Sequence, residues 1–169
     1  MKSDALGETR HLTIALPPGE HAELATIVMA DGQAAASWAS VLFPLMDRGA
    51  MRAAAIVGIH SVPYRGAPGG EYDPTLDIRA REYIASNDPE RFERHLRWVT
   101  DEALPLVAER FGVSLRREDV VVAGYSNGGS FAAAAGLRRP DVFGGVLGLS
   151  VGVPPEGERR EGELPRFRV

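Results

Sequence analysis

Cysteine is absent from this chain, which excludes disulfides, thiolate metal sites and a cysteine nucleophile. Lysine is nearly absent too: Lys2 is the only one, so almost all the positive charge is arginine. Arginine suits carboxylate and phosphate recognition, and beside abundant alanine and glycine it also fits a simple genomic composition. There is no surplus of basic charge. The 19 basic and 23 acidic residues leave a formal charge of -4, which argues against nucleic acid as a partner, since that footprint is basic and clustered. The N-terminus, MKSDALGETRH, has no apolar segment of the signal-peptide kind. No apolar run approaches the length of a membrane span. The expectation is therefore a cytoplasmic protein without membrane contact. No His/Asp/Glu spacing suggests a metal site, and no cofactor is expected. Histidine, finally, is missing from everything after residue 95: the four are His11, His21, His60 and His95.

What is present reads as one domain over residues 1–169, long enough to bury a core. Residues 1–10 are polar and expected to be frayed. HLTIAL (11–16) alternates as a strand and stops at Pro17-Pro18-Gly19. LATIVMA (24–30) is a second strand, ending at Asp31-Gly32. Residues 33–49 carry helical periodicity through Trp38, Val41, Leu42 and Leu45, with Pro44 expected to kink or break it. AAAIVGIH (53–60) is apolar throughout, as a strand covered on both faces should be. Residues 61–77 form a long Gly/Pro-rich segment after a strand, the kind that carries function or stays disordered.

A long amphipathic helix is expected over 88–111, capped by Asp88 with Pro89 at its first position, perturbed by Pro105 and ended by Gly112. His95 in it reads as a surface residue. VVVAG (120–124) and GVLGLS (145–150) are further strands, the region 151–165 a polar loop, and PRFRV (165–169) the start of another strand. Strands alternating with helices mean an α/β fold with a mainly parallel sheet. Ligands in such sheets bind beyond the carboxyl ends of the strands. Asp31, His60, Ser126 and Ser150 all lie at such ends.

The most informative stretch is Gly124-Tyr125-Ser126-Asn127-Gly128, a G-x-S-x-G motif between a strand and an Ala-rich helix. Three fixed positions match by chance in roughly one chain in twenty of this length, so the motif alone is weak. The strand before it and the helix after it sharpen the signal to a nucleophile elbow. The turn is so sharp that a side chain at Gly124 or Gly128 would collide with its neighbours. It lifts the Ser126 hydroxyl clear of the sheet and leaves the Asn127 N–H free at a helix start.

With ALPPG (15–19), MADGQ (29–33), VGIHSVPYRG (57–66), RAREY (79–83), EALPLVAERFGV (102–113) and the segment 120–150, the chain resembles the Putative esterase branch of α/β-hydrolases. That branch includes enterochelin-esterase-like proteins and S-formylglutathione hydrolases. The resemblance implies an α/β-hydrolase fold with helices on both faces of the sheet. It makes Ser126 the nucleophile and the Asn127 N–H one oxyanion donor. The loop at Gly32 and Gln33 would supply the second donor. Arg79, His60 and Tyr125 would contact substrate, a small-molecule ester. The other reading of Arg79 is a surface arginine paired with Glu82.

The family order is serine, then acid, then histidine, and no histidine follows Ser126. The expectation is that the final strands and helices are missing, with the acid and histidine beyond residue 169. Upstream, only His60 stands at a strand end. Asp31, at a strand-end Asp-Gly, is expected to shape its loop. Three functions follow: serine ester hydrolysis, acyl transfer to an alcohol as a near variant, and a catalytically silent domain that only binds. An uncovered apolar sheet surface would also favour poor solubility or homo-oligomers.

Overall fold

The computed structural model describes residues 1–21, 23–66 and 69–153. Two short strands, β1 (Lys2–Ser3) and β2 (Glu8–Thr9), pair antiparallel. The main sheet contains β3 (Leu12–Ala15), β4 (Ala25–Ala30), β5 (Ala54–Ile59), β6 (Val120–Tyr125) and β7 (Gly145–Leu149). Their spatial order is β3-β5-β4-β6-β7. All neighbours are parallel except β3, which runs antiparallel to β5 at one edge. Every residue of β5 is buried, as its unbroken apolar sequence requires of a strand covered on both faces.

The helices are α1 (Ala35–Asp47), α2 (Ile78–Tyr83), α3 (Pro89–Arg97), α4 (Leu104–Phe111) and α5 (Asn127–Arg138). They divide between the two faces because strand side chains alternate. Val28, Val57, Val120 and Val122 pack with Phe92, Leu96, Leu104 and Phe131, on the face of α3, α4 and α5. Met29, Ile56 and Ala123 pack with Ala35, Ala39 and Trp38 of α1 on the other. This is the α/β-hydrolase fold. On the α1 face a cavity of about 220 Å³ lies open between α1 and the sheet, lined by Ile27, Trp38, Leu42, Val121 and Leu147. No helix among the described residues is long and apolar enough to cross a membrane.

Several local features differ from the sequence reading. Residues 1–10 are not frayed: they form the β1/β2 hairpin, and Arg10 is only 2% exposed. The reason is a buried bidentate pair, Arg10 to Glu82 of α2, at 2.9 and 2.7 Å. Pro44 does not end its helix; α1 continues through it to Asp47. Pro44 lacks only the N–H that would bond the Ser40 carbonyl, one turn earlier, and the helix carries on past that lost bond. Asp88 caps α3, its carboxylate accepting from the Arg91 N–H at 2.9 Å, and Gly112 ends α4 at φ 65°. Pro105 is absorbed differently. The turn before it, Trp98–Ala103, widens to π-helical geometry and links α3 to α4, a rare form that occurs mostly as single turns within α-helices. His95 is fully buried rather than at the surface. The strand expected at 165–169 and most of the loop at 151–165 fall outside the described residues.

Candidate active site

Ser126 sits between β6 and α5 with φ 57° and ψ -122°. For a residue with a Cβ this is a strained backbone, tolerated only when the surroundings enforce it. The enforcement is visible. The Ser126 N–H donates to Leu149 O of β7 at 2.9 Å, and the Ser126 carbonyl accepts from the Ser130 N–H at 3.1 Å. Gly124 and Gly128 face each other so closely that a Cβ on Gly124 would overlap the Gly128 carbonyl. A Cβ on Gly128 would stand 3.0 Å from Ala30 Cβ and 3.2 Å from Asp31 Oδ2. The elbow therefore packs directly on the end of β4. Ser126 and Asn127 are half-buried, and Tyr125 is 60% exposed.

The end of β4 is itself a constrained turn. Asp31 has φ 57° and ψ 51°, and Gly32–Ala34 follows as a short 3-10 turn. Gly32 lies against the β5 backbone, where a Cβ would overlap the Gly58 carbonyl. The Gln33 amide is tied down as well. Its Nε2 donates to Ser61 Oγ at 2.7 Å, and its Oε1 accepts from the Ser61 N–H at 3.3 Å. Gly32 and Gln33 thus stand at the carboxyl end of β4, the strand beside β6.

Helix α2 holds this turn from a third side. Arg79 donates from Nε and a terminal nitrogen to the two Asp31 carboxylate oxygens, both at 2.7 Å. The alternative pairing of Arg79 with Glu82 is not what the structure has. This clamp raises the Arg79 pKa, the hydrogen bond to Asp31 being the main cause. The guanidinium also lies 5.3 Å from the Tyr83 ring centroid. Tyr83 is buried, and its hydroxyl accepts from the Asp31 backbone N–H at 2.9 Å. Burial pushes the Tyr83 hydroxyl far up, so it stays protonated. Asp31 does shape its loop, as its position suggested, but through a clamp whose other half lies 48 residues away.

His60 follows β5, and β4 lies between β5 and β6. Its Nε2 shares a 2.7 Å hydrogen bond with Thr13 Oγ1 of β3. Burial, then the neighbouring His11, lower its pKa, so the ring is neutral at neutral pH. His21 bonds Pro18 O. Both His95 nitrogens are buried, among Tyr83, Trp98 and Phe131, and have no hydrogen-bond partner among the described residues. None of the four histidines bonds Ser126. Among the described residues no group of three His, Cys, Asp or Glu side chains is placed to hold a metal.

The structure brings Ser126, Asn127, Gly32, Gln33 and Arg79 to the adjacent ends of β4 and β6, and sets His60 one strand further away. The sequence reading passed over the Tyr83 hydroxyl and the Arg10–Glu82 pair. RAREY contains Glu82 and Tyr83, but nothing in its spacing says which partners they meet.

The family described as Putative esterase matches residues 3–158. Among solved structures, the enterobactin esterase FES of Shigella flexneri, in the presence of 2,3-dihydroxy-N-benzoyl-serine, is similar at 29% identity and TM-score 0.70, over 97% of this chain. This chain spans 38% of that esterase's length. The same esterase in the presence of enterobactin matches at 31% identity and TM-score 0.68, over 89% of this chain and 36% of the other. A ferulic acid esterase of Anaeromyces mucronatus shares the fold at 15% identity and TM-score 0.68, over 99% of this chain and 67% of the other. No curated protein gives a significant match.

Proposed function

This chain belongs to the Putative esterase family, and we propose from that premise that it is the nucleophile-bearing part of a serine carboxylic-ester hydrolase. The observation that carries the reading is Ser126 itself: a hydroxyl residue at positive φ, between a strand and a helix, with glycines packed at contact distance on either side. A fold keeps such strain where it serves a site.

In the proposed reaction the Ser126 Oγ attacks the ester carbonyl carbon as a base removes its proton. The carbonyl oxygen becomes an oxyanion facing the Asn127 N–H and the backbone at Gly32 and Gln33. The alcohol leaves, and water then releases the acid from the acyl-serine. Each oxyanion donor contributes about 100- to 1,000-fold in rate in such sites. The base, in this reading, is a histidine from outside the 169 residues, with the triad acid. Arg79 has its charge shared with Asp31, so its role is to hold the oxyanion turn and present its remaining N–H groups to substrate. The Shigella esterase structures were determined in the presence of enterobactin or of 2,3-dihydroxy-N-benzoyl-serine, so an ester bearing an aromatic group is the substrate class proposed. Acyl transfer to an alcohol uses the same acyl-enzyme.

A second reading follows from one observation: no histidine bonds Ser126. The domain would then bind esters without turning them over. Hydrolysis of p-nitrophenyl butyrate separates the two when it is measured on a chain that also carries the proposed acid and histidine, beside its Ser126→Ala variant. Ser126-dependent hydrolysis, with labelling of Ser126 by a fluorophosphonate, supports the esterase. Equal rates and no labelling support the silent domain.

A further inference from the structure

Two tyrosines in the segment between β5 and α2 are held in place without being buried. The Tyr64 and Tyr72 rings stack, with centroids 5.5 Å apart and planes 29° apart. Their hydroxyls are spent on the loop. Tyr64 Oη accepts from the Asp73 N–H at 2.9 Å, and Tyr72 Oη donates to Asp77 Oδ2 at 2.9 Å. Asp73 in turn caps the next turn through Thr75, at 2.8 Å to its N–H and 2.6 Å to its hydroxyl. The Tyr64 ring lies across Gly66, where any Cβ would overlap it. Yet Tyr64 is 40% exposed and Tyr72 is 62% exposed.

Position connects this pair to the candidate site. The segment starts at Ser61, which is joined to the Gln33 side chain by two hydrogen bonds. It ends at Asp77, which caps α2 through the Ala80 N–H at 2.9 Å. Helix α2 then delivers Arg79 to Asp31. Both flanks of the loop are therefore fastened to the three residues Asp31 to Gln33, beside the elbow. A loop fixed this way holds its outward ring faces at one place on the rim. Ordered aromatic faces left in water are an unused stacking surface, and arenes pair with them at centroid distances of about 4.5–7 Å.

Resting on the esterase reading, we propose that Tyr64 and Tyr72 form a stacking platform for an aromatic ring of the ester substrate. The ring it takes is uncharged. The Asp77 carboxylate accepts from the Tyr72 hydroxyl, the Asp73 carboxylate is held by Thr75 beside the Tyr64 contact, and Glu71 is next to Tyr72 in sequence; these three carboxylates outnumber Arg65, disfavour a free aromatic acid and leave a neutral aryl ester unopposed.

The test is binding rather than turnover, in the full chain carrying Ser126→Ala. Saturation-transfer NMR titrations compare methyl benzoate with methyl cyclohexanecarboxylate, which has the same size but no π face. The aromatic probe should bind about fivefold more tightly. Tyr64→Leu and Tyr72→Leu should each remove most of that preference. Tyr72→Phe, which loses the bond to Asp77 but keeps the ring, should retain it. Gly66→Ala, which displaces the Tyr64 ring, should weaken it. No preference for the aromatic probe, including no detectable binding of either, overturns the proposal. So does an equal loss in Tyr72→Phe and Tyr72→Leu, which would mean the hydroxyl holds the loop and the ring holds nothing. The esterase reading fails separately, when a chain that also carries the proposed acid and histidine shows no Ser126-dependent hydrolysis, and that result leaves the binding preference readable.

Discussion

At Gly124 a single methyl group would decide whether the elbow forms. Its Cβ would overlap the Gly128 carbonyl, which is backbone and cannot move aside cheaply. Gly124→Ala is therefore expected to cost about 3 kcal/mol, in the range of overpacking at a rigid site. Gly128→Ala is milder, because its nearest neighbour is the Ala30 methyl at 3.0 Å. Urea denaturation of the two variants checks the order; a Gly124→Ala midpoint no lower than that of Gly128→Ala contradicts it. Ser126→Ala relieves no packing and should leave the midpoint within about 0.5 kcal/mol of the parent, while removing any serine-dependent hydrolysis. The motif was legible because glycine and serine here are demanded by local geometry, and local geometry is written in consecutive residues.

Helix α2 has only six residues, too few to be stable alone. Its contribution is what it holds. Tyr83 takes the Asp31 N–H, Arg79 takes the Asp31 carboxylate, and Glu82 takes Arg10 and Arg91. Tyr83→Phe keeps the ring in its pocket and leaves the Asp31 N–H without its acceptor. The expected cost is about 1–2 kcal/mol, read as a lowered denaturant midpoint. Hydrogen exchange at the Asp31 amide should accelerate more than at β5 amides. Uniform acceleration across the sheet would show that the bond supports the fold generally and not this turn. RAREY was recognisable as a motif. The partners Asp31 and Arg10 were not, since they lie 48 to 72 residues away in sequence.

Over the whole molecule, the least ordinary feature is a charged cluster inside the core. Glu82 is fully buried and receives Arg10 and Arg91, with His95 Nδ1 3.4 Å from Glu82 Oε2. Burial acts against the Glu82 charge, but the hydrogen bonds and charge of the Arg10 and Arg91 guanidinium groups outweigh it and hold the carboxyl below its usual range. Burial lowers the His95 pKa from 6.5 to about 3, Glu82 only partly opposing it. His95 is thus neutral when folded and becomes protonated when unfolded below about pH 6.5. Between those values the unfolded state binds the extra proton, so stability is fully present above pH 6.5 and falls as the pH drops towards 3. The His95 slope is at most about 1.4 kcal/mol per pH unit. Glu82 adds a loss of the same sign below its ordinary pKa of 4.5. His95→Phe should flatten the slope between pH 6 and 4, measured by urea midpoints; an unchanged slope would mean another group carries it.

Removing residues 1–10 takes away Arg10 and leaves Glu82 with one guanidinium fewer, which should cost about 3–5 kcal/mol. On the opposite face, the cavity beside α1 and the 48% exposed Leu147 present apolar surface. The chain should bind the dye ANS, and Leu147→Glu should reduce that binding. Dye fluorescence at background level would show the face to be covered.

The sequence by itself determined the α/β order of elements, the buried centre of the sheet at β5, the caps at Asp88 and Gly112, and Ser126 on its elbow. Each depends on residues within a few positions of one another, through periodicity or backbone sterics. Only the tertiary structure decided that the first ten residues dock rather than fray, that His95 is interior, that Arg79 clamps Asp31, and that Tyr64 and Tyr72 stack on each other. Those outcomes are pairings between segments, and an arginine or a tyrosine carries the same local signal whether its partner is water or a carboxylate brought in from across the fold.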